Sequence, residues 1–204
     1  MRNLIVVLSL FLFFTVSTVK AQTQTPTTTT SMAGIIDVPT KLFNWIKSFN
    51  KEASNFFSAA KCEKLKRELG YIKTDLEEYL SLREALADTL EKNNYKYNFT
   101  NRTKARLIST WTSMSDKLKS IRPELSGPLE AETDKLIETI QSLMHNKQRT
   151  FVSKIDKMIA FNNVEKAEFK TSSKKSLKDL KASIDLITQA QTKLEQKAAE
   201  LGNR

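Results

Sequence analysis

Residues 177–201 read LKDLKASIDLITQAQTKLEQKAAEL. Leu177, Leu180, Ile184 and Ile187, then, past Gln191, Leu194, Ala198 and Leu201 recur three or four residues apart, so they line one side of a helix while polar residues fill the other. Gly202 stops the run. The same spacing repeats upstream. Leu42, Ile46, Phe49, Ala53, Phe56 and Ala60 form a first stripe behind a helix start at Pro39 or Thr40. Leu65, Leu69, Ile72, Leu76 and Tyr79, then, past Arg83, Leu86 and Leu90 form a second, and the change of phase near Cys62 predicts a bend or a handover between two partners there. Leu107, Trp111, Met114, Leu118 and Ile121 make a third, closed by Pro123, Gly127 and Pro128. A fourth runs Leu136, Ile140 and Leu143, then, past Lys147, Phe151, Ile155 and Met158. These segments predict an all-α fold, an antiparallel helical bundle of about five helices with coiled-coil-like seams. An extended coiled-coil dimer is the competing architecture.

Composition points the same way. The 204 residues include 4 Gly, far below the usual share of about 7%, too few for the tight turns and phosphate-cradling loops of sandwiches, barrels and dinucleotide folds. With 40% hydrophobic and 27% charged residues the chain has the make-up of long amphipathic helices.

The N-terminus reads differently. Arg2, an apolar run from Leu4 to Val19 and Val19-Lys20-Ala21 have the form of a cleaved secretory signal over residues 1–21, and the run is short of the ~20 residues a spanning helix needs. Localisation is then secreted and extracellular, or periplasmic in a Gram-negative bacterium. Residues 22–38 begin QTQTPTTTTS, with nothing apolar or charged to bury, and read as a Thr-rich disordered leader. The helical bundle domain is placed at 39–204.

The formal charge of +10 comes in blocks. Residues 40–74 carry eight basic and three acidic side chains, 75–91 one and six, 102–122 six and one, 124–138 one and five, and 147–181 ten and four. Alternation of sign suits neighbouring antiparallel helices that attract one another. The surplus falls on the last block, where Lys166, Lys170, Lys174, Lys178 and Lys181 would form one cationic face for an anionic partner such as a lipid headgroup or a heparin-like polysaccharide. Nucleic acid fits poorly, because no interleaving of Arg with aromatic residues of the kind that stacks on bases appears there.

Little else suggests chemistry. A single His excludes two-histidine zinc motifs, and a single Cys excludes thiol-rich ones. Glu130, Glu132, Asp134 and Glu138 follow Gly127-Pro128, where a helix N-terminus favours acids. No enzyme, metal or cofactor is expected. Cys62 is odd in a secreted chain and could bridge two copies, giving a homodimer; otherwise it is a buried thiol. Asn98 and Asn101 head two glycosylation sequons in the loop before the third helix.

Phe43, Trp45, Phe49, Phe56 and Phe57 crowd the first helix, with Lys41, Lys47 and Lys51 around them. That composition serves either a bulky bundle core or a membrane-facing surface. With Trp111 and Phe151, these aromatics are the candidate lipid or membrane contacts. The chain resembles secreted helical bundles and apolipoprotein-like carriers in general, a likeness of periodicity that transfers no residue roles. The function expected is a secreted, non-enzymatic helical-bundle binding protein that meets a protein partner or an anionic surface through a basic or aromatic helix surface. A carrier of fatty acid or other apolar lipid and a self-associating coiled-coil structural protein are the alternatives.

Overall fold

The computed structural model describes residues 33–93, 101–145 and 163–203. These form five α-helices, and among the described residues there is no strand: α1 (Ala33–Glu52), α2 (Ala59–Lys92), α3 (Asn101–Ile121), α4 (Gly127–His145) and α5 (Asn163–Gly202). The apolar run 4–19 and the Thr-rich stretch up to residue 32 lie outside the described residues.

The chain alternates direction from helix to helix. Tyr79 meets Trp111 and Lys64 meets Glu124, so α2 and α3 run antiparallel. Arg83 meets Ser173 while Gln191 reaches the carbonyl of Lys66, so α2 and α5 do too. Thr40 pairs with Asp179 and Asn50 with Gln189, which places α1 alongside α5 in the same direction. The longest helix, α5, thus lies between α1 and α2; α3 flanks the other side of α2, and α4 closes the ring between α3 and α1. The core inside this ring is continuous.

Burial follows the predicted stripes on α2 and α3 closely. Leu65, Leu69, Ile72, Leu76, Tyr79, Leu86 and Leu90 are all buried, as are Leu107, Trp111, Met114, Leu118 and Ile121. On α4, Leu136 and Ile140 are buried, and the stripe beyond them falls outside the described side chains.

Three boundaries differ from the sequence reading. Helix α1 begins at Ala33, six residues ahead of Pro39, where the spacing placed the helix start. Pro39 lies inside the helix, where it removes one N–H bond and crowds the carbonyl a turn back, while Val38 is fully buried and holds that turn to the core. The bend comes before Cys62: a 3₁₀ turn at Ala53–Asn55 and an extended stretch at 56–58 separate α1 from α2, and Ser58 caps α2 by accepting from the Lys61 amide. Phe56 and Ala60 therefore leave the α1 stripe, and Ala60 is exposed. Asn101 opens α3 instead of sitting in a loop.

The buried edge of α5 is also more polar than its leucines suggest. Leu180, Ile187 and Leu194 alternate with Ser176, Ser183 and Ala190, all buried, while Leu177 and Ile184 are only half-buried. Small side chains at alternate seam positions leave room for α1 and α2 to approach α5.

Opposite charge blocks do lie side by side. The acidic second half of α2 sends Glu78 to Arg106 of α3 and Glu84 and Glu91 to Lys181 and Lys170 of α5. Arg122 grips Asp134 with two hydrogen bonds of 2.8 and 3.0 Å. Exposed pairs of this kind are worth about 0.2–1 kcal/mol each, so their larger effect is on which helix meets which.

One carboxylate in the α2–α3 seam works against the fold. Burial pushes the Asp75 carboxyl above its ordinary value, and a hydrogen bond from Ser113 and the charge of Lys117 offset this only in part. Its Oδ2 is buried with no hydrogen-bond partner among the described residues. The folded chain holds the Asp75 proton more tightly than the unfolded chain, so stability falls as pH rises from the ordinary carboxylate value through the raised one. Asp75→Asn is expected to raise Tm at pH 7 by about 1–3 °C and to leave it unchanged near pH 3, as a thermal melt at both pH values would show. Equal shifts at both would mean that ionisation of Asp75 is not the cause. Asp134 and Glu124 act in the opposite sense: hydrogen bonds from Arg122 and Lys64 hold their carboxyls below the ordinary range, so their contribution is lost as pH falls through those lowered values.

Candidate functional site

The aromatic residues of α1 are mostly spent on the core. Trp45 is 2% exposed, and its indole N–H donates to Thr133 Oγ1 of α4 at 2.7 Å; that hydroxyl in turn donates to the Leu129 carbonyl. Phe49 is fully buried between Trp45 and Phe56, with ring centroids 5.6 and 5.9 Å away. Phe43 and Phe56 are half-buried. Trp111 belongs to a different seam, where it meets the edge of Tyr79 at 4.6 Å. The candidate lipid contacts therefore do not converge on one cavity, and Phe151 lies outside the described residues.

Phe57 is the exception. The extended backbone at Phe56 sends successive side chains to opposite sides, so Phe56 turns in and Phe57 turns out. It stands 87% exposed beside a groove of about 750 Å³ between the α1–α2 connection and the start of α4. The sequence reading put both rings in the first helix because it could not see that the helix ends at Glu52.

The cationic face of α5 divides in two. Lys170 and Lys181 reach across to Glu91 and Glu84 and serve the α2–α5 contact. Lys174 and Lys178 point to solvent, and Lys175, which the helical spacing passed over, is exposed beside them. The side chain of Lys166 lies outside the described residues. Lys174 and Lys178 stand one turn apart on one face, a like-charge pair that destabilises a helix by about 0.2–0.5 kcal/mol. Together the three form a short basic ridge with no large apolar side chain among them.

Cys62 is free and wholly buried in the first turn of α2, and burial pushes its thiol up from the ordinary value. A bridge to a second chain would require the α1–α2 corner to open first. Asn98 and the side chain of Asn101 fall outside the described residues. Glu130 and Asp134 are taken up by Arg122. Among the described residues no group of three His, Cys, Asp or Glu is placed to hold a metal ion, and no helix is long and apolar enough to cross a membrane.

A deeply buried guanidinium escaped the sequence reading. Arg83, passed over as an interruption of the α2 stripe, is 1% exposed inside the bundle. It donates to Tyr79 Oη at 3.1 Å and Ser173 Oγ at 3.4 Å and stacks on the Tyr79 ring. Its place at stripe spacing was the available signal.

Set against protein-family profiles, curated proteins and solved structures, this chain matched none.

Proposed function

We propose that this chain is a secreted, non-enzymatic binding protein that recognises a polyanion, of the kind a sulfated polysaccharide represents, through the outer ridge of α5. The observation behind this reading is the exposed trio Lys174, Lys175 and Lys178: Lys170 and Lys181 take up the α2–α5 ion pairs, while Lys174 only adds its charge near Glu91 without bonding to it. Repelling charges kept together on an exposed face do not help the helix, and they suit a partner whose closely spaced anions release counterions on contact. The absence of large apolar side chains on the ridge favours a soluble polyanion over insertion into a bilayer. The carrier alternative lacks comparable support, since Trp45 and Phe49 are packed side chain against side chain.

The test is retention on immobilised heparin against a salt gradient. The parent should be retained, and Lys174→Gln/Lys175→Gln/Lys178→Gln should elute earlier with its Tm unchanged. The salt dependence of binding should flatten by about one released counterion per lysine removed. Co-elution of the triple variant with the parent would sink the proposal. Retention on anionic vesicles but not on heparin would move the partner to a membrane surface.

A further inference from the structure

We infer that the corner where α1 gives way to α2, with Phe57 and the groove beside it, is a docking surface for a second copy of this chain. This goes beyond the polyanion reading and uses a different face of the bundle.

The surface sets an exposed ring beside a groove of mixed polar and apolar lining. Phe57 projects 87% exposed, the most exposed large hydrophobic side chain among the described residues, where Tyr71 at 48% and Ile108 at 39% come next. The groove is lined by Phe56, Pro128 and Leu129, and at about 750 Å³ it has room for an aromatic ring. A projecting ring and an adjoining recess thus occupy one patch. A two-fold contact requires that arrangement, because the same patch must supply both the knob and the hole.

Charge selects the occupant. The whole chain carries +10, so two copies repel unless they meet where charge is balanced. The groove is lined by two cations, Lys51 and Lys61, and two anions, Glu52 and Glu132. Two of the four are held in place: the Lys61 ammonium sits 5.3 Å from the Phe56 ring centroid, and Asn55 donates to Glu52 at 2.8 Å. An acidic or basic partner would gain little net attraction from such a patch. A second copy turned by a two-fold axis can set lysines against glutamates on both sides of the contact.

Sedimentation velocity over a dilution series of the mature chain tests this. The parent should pass reversibly from monomer to dimer as concentration rises through the micromolar range, with no effect of reductant because Cys62 is buried. Phe57→Asp should weaken the dimer by roughly tenfold or more while leaving helicity, Tm and heparin retention unchanged, since the ring is exposed in the monomer. Two charge variants sharpen the result. Lys51→Glu/Lys61→Glu and Glu52→Lys/Glu132→Lys should each lose self-association, and an equimolar mixture of the two should regain it. A parent that stays monomeric at every concentration, or a dimer indifferent to Phe57→Asp, would overturn the inference.

Discussion

Phe49→Ala is expected to destabilise the bundle by about 3–5 kcal/mol, the range for deleting a fully buried phenyl ring from a core that cannot collapse around the gap. Its ring is wholly buried and touches Trp45 on one side and Phe56 on the other, so the vacancy opens where α1 meets the α1–α2 connection. In a chain of this length the loss corresponds to a fall in Tm of about 6–20 °C. Urea unfolding should show a lower midpoint with an unchanged slope, because the surface exposed on unfolding stays nearly the same. The neighbouring Phe57→Ala should shift the midpoint by no more than about 0.5 kcal/mol, as befits a ring standing in solvent. Similar losses from both substitutions would contradict the inward and outward turns of the two rings.

Arg83→Ala is the second change of large effect. The side chain is among the largest fully buried in the described core, and its removal leaves both a cavity and polar groups without their donor, Tyr79 Oη and Ser173 Oγ. The combined loss should be about 2–4 kcal/mol. Arg83→Lys keeps the charge but not the planar fork that reaches two hydroxyls and lies over the Tyr79 ring, so it should recover only part of the loss. Equilibrium denaturation of both variants decides the matter. A cost under about 0.5 kcal/mol for Arg83→Ala would show that the fold gains nothing net from burying the guanidinium.

The class of fold was legible because period carries it. Apolar residues three and four apart on α2 and α3 went where the spacing sent them, and the alternation of charge foretold that the acidic half of α2 would be flanked by basic neighbours. Topology was not legible in the same way. Nothing in the leucine spacing says that α5 sits between α1 and α2, because the seam that permits it uses Ser176, Ser183 and Ala190, which a search for large apolar residues overlooks. Arg83 was missed for a related reason: an arginine at stripe spacing is normally a solvated interruption, and its burial depends on a tyrosine one turn away and a serine 90 residues away. Phe56 and Phe57 were grouped because their division depends on the helix ending at Glu52, and no proline or glycine marks that end.

The candidate ridge was partly visible. Helical spacing found Lys174 and Lys178 and missed Lys175, and it could not separate them from Lys170 and Lys181, whose partners belong to another helix. Sorting cations bonded to a carboxylate from those left on the surface needs the neighbour in place.

The parallel pairing of α1 with α5 also bears on how the protein comes into being. Thr40 and Asn50 find Asp179 and Gln189 across 139 residues of chain, nearly the whole span of the bundle. As the ribosome delivers the polypeptide from its N-terminus, α1 emerges first and its principal neighbour last. Throughout that interval the apolar side of α1 has no α5 to cover it. Closure waits for α5, and such distant contacts slow it relative to bundles built from sequential neighbours. A stop codon early in α5 would therefore leave two helices uncovered at once, the first made as well as its antiparallel partner α2.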